Sequence, residues 1–392
     1  MIKHYLKMIW NRRGKNAFLI AEIFLAFLAT FAVLSFVITQ LQKYKVPLGF
    51  ESENRYVAQL SVDALQEDSV AFFEIKEQLK REVNAMDGVR MSSYSNSVIP
   101  FGFSTWSTGD RDEDTGFEFF VEYIMGDIDY ADVWGFEIVE GRFYNEEDLL
   151  KERKPIVINR KAQSKFLKDT TTLGMHLNFG GSEVEIIGLV ENSKYKGDFM
   201  EEEPFALFPV EAAWEQITAL SILTDPTVGP SFEKELSDII ARITKNHDFA
   251  LEKAHQSRKM KAKSSWIPIV ALLSLAGFLM INIAMGLFGV LRYNISKRKP
   301  EIGLRKAMGA SPAKINRQFI GEMTILATLA LVVGTIFAAQ VPLLNIFEGE
   351  SKVYWMSIVY ALVIIYAIVF LCSLIPSSQA GKIDPALALH EE

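Results

Sequence analysis

Cysteine is nearly absent: the 392 residues contain one, Cys372, and it falls inside an apolar run. No intrachain disulfide and no metal centre with several cysteine ligands can form, so any exported part must be held by its own core. Histidine is also scarce. His176, His247 and His255 lie mid-chain, and none belongs to an H-E-x-x-H motif. No G-x-S-x-G elbow and no G-x-x-x-x-G-K-[ST] phosphate loop occurs. These absences argue against a zinc hydrolase, a serine hydrolase of the elbow type and a P-loop nucleotide site in this sequence. The acids are numerous but scattered, as on a solvated surface. The expectation is a chain that is not an enzyme, with no catalytic, cofactor-binding or metal-binding residues of its own. There is no internal repeat.

Four long apolar runs are present: residues 18–41, 266–291, 319–344 and 353–375. Each reaches the roughly 20 helical residues that cross a bilayer. The first has an apolar core longer than the ~7–15 residues of a signal peptide, with no small-x-small cleavage site after it. It reads as an uncleaved anchor. Charge then predicts orientation. Residues 1–17 hold Lys3, Lys7, Arg12, Arg13 and Lys15 and no acid, and residues 292–318 hold eight basic residues against Glu301. Residues 42–265 hold 26 Lys/Arg against 40 Asp/Glu. Short loops rich in Lys and Arg stay in the cytosol. The predicted topology has cytosolic segments at 1–17, 292–318 and 376–392, a short periplasmic loop at 345–352, and a large extracytoplasmic domain at 42–265. All four spans agree with it. The acidity belongs to the exported part, and nucleic acid is not an expected partner.

Within 42–265 the pattern alternates between strand-like and helix-like pieces. Strands are expected at 55–62, 117–126, 154–159, 184–190, 204–210 and 219–224. Helices are expected at 70–87, ended by Gly88, and at about 231–245. Gly180-Gly181, between MHLNF and SEVEI, reads as a hairpin turn. The expected fold class is an integral membrane protein of four transmembrane α-helices, with a large α+β extracytoplasmic domain inserted between helices 1 and 2.

The segment KRKPEIGLRKAMGASPAK, 297–314, interrupts the most apolar third of the chain. Pro300 suits the first turn of a helix, Glu301 complements its positive end, and Arg305 and Lys306 fall in its last turn. Gly309 is placed for a left-handed cap, and Ser311-Pro312 for the start of the next helix. A helix of about nine residues results, with Leu304, Ala307 and Met308 on one face. So short a helix is marginal alone in water. Either the bilayer surface receives it, through its basic residues, or a partner protein buries Leu304 and Met308 at roughly 1.5–3 kcal/mol apiece. The residues alone leave both open.

The run from Gly277 to Met323 resembles the C-terminal module of MacB/FtsX-type ABC transporter permeases. The matching positions are Asn282, Arg298, Glu301, Ile302, Gly303, Leu304, Arg305, Ala307, Gly309, Ala310, Gln318, Phe319 and Glu322. AMDGVRMSS, EGRFYNEED, PIVINRKAQSKFL and LGMHLNFGGSEVEIIGLVENSKY are similar, in order and spacing, to that family's periplasmic core domain. The closing GKIDPALALHEE is similar to its tail. The resemblance implies an inner-membrane permease whose cytosolic loop docks on a separate ABC ATPase, through Glu301, Ile302, Leu304, Arg305, Ala307 and Met308. ATP-Mg would be bound by that partner. It also implies a second permease chain, the same or related, and mechanical transmission to the periplasmic domain for export or efflux. A periplasmic adaptor, an outer-membrane protein or an envelope hydrolase is a further partner of such systems, and membrane lipid surrounds the spans. The alternatives are an FtsX-like regulator of a cell-wall hydrolase and a non-ABC membrane sensor or scaffold.

Three polar residues lie inside expected spans. Glu22 and Glu322 are read as a gating or proton-coupling pair, or as groups that snorkel or pair with a loop cation such as Arg292. Asn282 is read as a hydrogen bond between helices. Gly277, Ala284 and Gly286 would permit close helix packing.

Overall fold

The computed structural model describes residues 13–60, 69–112, 117–167, 172–179, 182–210, 217–344, 346 and 349–381. In chain order the first elements are α1 (Arg13–Lys45), β1 (Arg55–Leu60), α2 (Ser69–Asn84), β2 (Val89–Ser95), β3 (Ser107–Asp112) and β4 (Phe117–Gly126). Next come α3 (Tyr130–Trp134), β5 (Ile138–Gly141), α4 (Glu146–Leu149), β6 (Lys154–Asn159), α5 (Arg160–Ala162), β7 (His176–Phe179) and β8 (Ser182–Val190). The last are β9 (Phe205–Pro209), β10 (Ala219–Thr224), α6 (Pro230–Thr244), β11 (Phe249–Lys253), α7 (Ala254–Lys297), α8 (Lys299–Ala307), α9 (Pro312–Leu343) and α10 (Ser351–Gly381). Two compact units result: Lys43–Ser265, and Met1–Gln42 together with Trp266–Glu392.

In Lys43–Ser265 the strand order is β11-β1-β10-β2-β4-β9-β6-β8-β5, with β3 on β4 and β7 on β8. β11, β1, β10 and β2 pair antiparallel. The other half is mixed, with β4 parallel to β9 and β6 parallel to β8. Among the described residues the only strand pairing between the halves is Ser95 with Gly126, and side chains reinforce that seam. Asp127 accepts from the Tyr94 amide (2.8 Å), Ser93 Oγ (2.6 Å) and Lys80 Nζ (2.7 Å). That lysine also reaches Asp129 (2.7 Å).

Helices α2 and α6 cover the first half, setting Leu79, Val83, Leu236 and Ile240 against Tyr94, Leu220 and Ile222. Beside them an aromatic cluster gathers Phe50, Phe101, Tyr130, Trp134, Phe136 and Phe205. Phe50 stacks on Phe136 (5.8 Å between centroids) and meets Trp134 edge-on (5.9 Å). Each large side chain removed from water is worth roughly 1.5–3 kcal/mol, which is how this unit holds together without a disulfide.

Strands β2, β3, β5 and β11 were not among those expected from sequence. β2 reads VRMSSYS, and its Ser92, Ser93 and Ser95 are fully buried, so no apolar alternation marks it. The expected turn residues Gly180 and Gly181 lie outside the described residues, as do the last two residues of the strand expected at 55–62 and the tail 382–392. β7 and β8 do pair antiparallel, with Phe179 opposite Ser182. Helix α7 begins at Ala254, well before the apolar run. Its basic first turns find partners: Arg258 donates to both Asp198 oxygens (2.7 and 3.0 Å) and Lys261 to the Gly102 carbonyl (3.0 Å).

In the other unit α1, α7, α9 and α10 are each long and apolar enough to cross a membrane. Their shared core includes Leu19, Ile23, Phe27, Leu287, Met323, Ala327, Ala361 and Ile365. Gly334 lets Phe27 approach so closely that a Cβ there would lie 2.6 Å from the ring. Hydroxyls inside these helices bond back to the preceding turn, as Ser357 does to Val353 (2.8 Å) and Ser373 to Val369 (2.6 Å). Thr328 also meets the Tyr366 hydroxyl (3.0 Å), linking α9 to α10.

Asp148 shows how a buried charge is tolerated in the α+β unit. Asn145 and Asp148 form a reciprocal capping box at α4 (3.2 and 3.1 Å). Arg142 (2.8 Å from Nη2) and Lys151 (2.7 Å) donate to the same carboxylate. The Arg142 hydrogen bonds hold the Asp148 carboxyl well below the usual carboxylate range. Its stabilisation is therefore complete above the unfolded value near 4 and is lost as pH falls toward the folded value. Asp148→Asn is expected to cost about 1–2 kcal/mol at neutral pH, the size of a lost cap. The gap from wild type should close as pH drops below about 4, as read by pulse proteolysis of the full-length chain in urea.

Candidate functional site

The loop between α7 and α9 is built from the punctuation in its sequence. α7 ends at Lys297, Arg298 leaves helical geometry, and α8 follows with Pro300 in its first turn. At its other end the Gly309 amide donates to the Lys306 carbonyl (2.9 Å) and the Ala310 amide to the Arg305 carbonyl (3.0 Å). Gly309 sits at φ 93°, so the two bonds close a Schellman end that an L side chain resists. Ser311 is the N-cap of α9, but its side chain makes no capping hydrogen bond. Only its carbonyl serves, accepting from the Lys314 amide (3.0 Å).

The two faces of α8 differ. Ile302 and Gly303 are buried, and Ile302 joins the core with Ile295, Ile315 and Phe319. Ile302, grouped on sequence with the docking residues, is thus turned inward and unavailable to a partner. Leu304 is 52% exposed and Met308 72%, with Ala307 and Glu301 exposed beside them. A cleft of about 350 Å³ opens under this face, lined by Arg305, Met308, Lys314, Ile315 and Gln318.

Polar groups tie α8 to α9. Arg298 Nη1 donates to both Glu322 oxygens (2.9 Å each), and both residues are buried. Gln318, one turn earlier on α9, donates to Glu322 Oε1 (3.1 Å) and accepts from Arg305 Nη1 (2.6 Å). Arg305 Nη2 also pairs with Glu301 (2.6 Å). Lys306 donates to the Gly381 carbonyl at the end of α10 (3.1 Å).

Among the described residues no hydrogen bond or ion pair joins the intramembrane candidates to one another. Glu322 takes Arg298 rather than Arg292, which is exposed. Glu22 is half-buried against α7, where a Cβ on Gly286 would lie 2.7 Å from its Oε1. Gly286 therefore makes room for a carboxylate, not for a helix backbone. A Cβ on Gly277 would meet no described atom within 4 Å. Asn282 is exposed and donates to the Phe278 carbonyl of its own helix (2.9 Å), not across helices. Arg298 and Gln318, which entered above only as positions matching the family pattern and not as docking residues, are part of this arrangement. The available signal was Gln318 and Glu322 at i, i+4 on one helix face, following a loop with more cations than acids.

Two family models cover most of the chain: the MacB-like periplasmic core domain over residues 21–248 and the FtsX-like permease C-terminal module over residues 273–385. The chain belongs to the MacB/FtsX-type ABC transporter permeases. It is similar to the macrolide export ATP-binding/permease protein MacB of Neisseria meningitidis serogroup A, 24% identical over 67% of this chain and 42% of that protein. Two ABC transporter permeases of Bacillus subtilis also match: YknZ, 24% identical over 67% of this chain and 68% of that one, and YvrN, 26% over 68% and 69%. The match thus spans 42% of the length of that MacB relative. The crystallised periplasmic region of MacB from Actinobacillus actinomycetemcomitans aligns over 54% of this chain and 94% of that one, at 13% identity and a TM-score of 0.40. With its four apolar helices, this family member is a multi-pass protein of the bacterial inner membrane.

Gly309→Val in this permease is expected to strain the end of α8 by about 1–2 kcal/mol. Amide exchange at positions 308–310 should accelerate by a factor of roughly 5–30, read by hydrogen exchange on the full-length chain.

Proposed function

We propose that this chain is the transmembrane subunit of an ABC system, coupling ATP hydrolysis on a separate ATPase to movement of its extracytoplasmic domain for export or efflux. ATP-Mg is bound by that partner, and a second permease chain completes the complex. Residues 42–265 lie outside, inserted between the first two spans, and 1–17, 292–318 and 376–392 face the cytosol. The basic balance of residues 292–318 and the acidic balance of 42–265 support that orientation.

One observation carries the docking reading. α8 anchors Ile302 inward while presenting Leu304, Ala307 and Met308 outward. A short helix with apolar side chains left in solvent is the arrangement that a partner protein covers. The cleft below it carries Arg305 and Lys314 beside Met308, so the matching surface offers an apolar side chain next to an acid. ATP-driven displacement of the ATPase then pushes on α8. Few ionisable groups sit within the spans, so work is delivered as movement rather than through a polar pore.

The test is affinity purification of the tagged chain from its native membrane. An ATPase should accompany wild type and be lost from Leu304→Asp/Met308→Asp, with insertion unchanged. Lys314→Glu should weaken the association in the same sense. Retention by the double variant would move the dock off this face, and no ATPase with wild type would remove the motor.

A further inference from the structure

The outward face of α8 explains how a partner could bind, but not how its motion would reach the spans. α8 has nine residues and buries only Ile302 and Gly303. Two small contacts allow it to roll or slide against the helices behind it. Apolar packing is not directional, and a helix this short does not hold its own angle. The polar groups supply what packing does not. Arg298 stands at the N-terminal end of α8, and Arg305 in its last turn. Both are held by one face of α9, Arg298 by Glu322 and Arg305 by Gln318. Gln318 joins the two contacts through Glu322 Oε1 (3.1 Å), and Glu301 holds Arg305 in place (2.6 Å).

The pair is also shielded. Phe319 lies under the guanidinium, its ring centroid 5.8 Å from Arg298 Cζ. Buried, charge-assisted hydrogen bonds are short, directional and costly to break singly, because each partner left alone is an uncompensated buried charge. A push on α8 that rotated it away from α9 would open this pair. Moving both helices together keeps it closed.

We infer that Arg298 and Glu322 are positioning residues that, with Gln318 and Arg305, clamp α8 to α9 so that displacement of the docked loop is delivered to the third span. The clamp acts after docking and rests on the docking reading above. It touches neither nucleotide nor cargo.

The experiment uses the full chain with its copurifying ATPase, in a Cys372→Ser background carrying Leu344→Cys at the far end of α9. Maleimide labelling of that cysteine is followed with and without ATP plus vanadate. In wild type the rate should change with nucleotide. Glu322→Gln and Arg298→Gln should still insert and retain the ATPase, yet label at a rate indifferent to nucleotide. The double variant should be no worse than either single, because the pair acts as one unit. Arg298→Lys, which keeps the charge but loses the planar guanidinium over Phe319, should respond partially. A wild-type response in both single variants overturns the clamp. So does loss of the ATPase from correctly inserted variants, which would make the pair part of the dock. If the single variants fail to insert, Gln318→Met, which removes the hydrogen bonds to both Arg305 and Glu322, is read in the same way: with the ATPase retained, a reduced response supports the clamp, whereas a full response or loss of the ATPase overturns it. If wild type binds no ATPase, or its Leu344 position does not respond, the docking reading fails separately. Spin labels at Ala307→Cys and Arg317→Cys in the chain alone then read the clamp. A distance distribution broadened by Glu322→Gln supports it, and one of equal width overturns it.

Discussion

The bilayer is the constraint on which this architecture depends. Four helices carry apolar side chains that the protein itself does not cover: Leu25, Phe278, Met285, Val332, Ile336, Val363 and Leu371 are all more than half exposed. In water that surface would aggregate, whereas in lipid it costs nothing. Once the helices are placed there, their polar groups must be satisfied internally. Ser357, Ser373 and Thr328 do this within a turn of their own helices. Glu322 cannot, and needs a cation brought to it.

That need organises the loop. Arg298 comes from the break between α7 and α8, so pairing it with Glu322 places the start of α8 against α9. Gln318 extends the contact to Arg305, and the Schellman end at Gly309 turns the chain back into α9. What remains outward is Leu304, Ala307 and Met308. One ionic pair between the loop and α9 thus accompanies the choice of which α8 side chains face outward.

The α+β unit solves a related problem without lipid. Its two half-sheets share a single strand pair, and an Asp127-centred network reinforces that narrow join. Lys194, almost wholly buried, donates to the carbonyls of Lys43 (2.6 Å) and Asp198 (2.7 Å), the first at the C-terminal end of α1, where a cation suits the helix. Arg55 likewise satisfies the Val133 and Glu53 carbonyls (2.5 and 2.7 Å). These two buried cations sit on backbone carbonyls that accept from them, which is the condition for tolerating them.

By itself the sequence determined what depends on local chemistry. Uninterrupted apolar length marks the four long helices, charge balance separates the acidic segment from the basic ones, and Pro300 and Gly309 bound α8 because φ restriction and φ freedom act within a turn. Strands β4, β6 and β8, rich in β-branched and aromatic side chains, were legible for the same reason. Only the tertiary structure decided the rest. The serine-rich β2 is a central strand because its neighbours bury it, and the basic start of α7 is helical because Asp198 and the Gly102 carbonyl receive it. Whether Ile302 or Leu304 faces a partner, and whether Glu322 meets Arg292 or Arg298, depends on how α8 turns against α9. Helical spacing says which residues share a face. It cannot say which face is inside, because that is set by contacts between residues far apart in the chain.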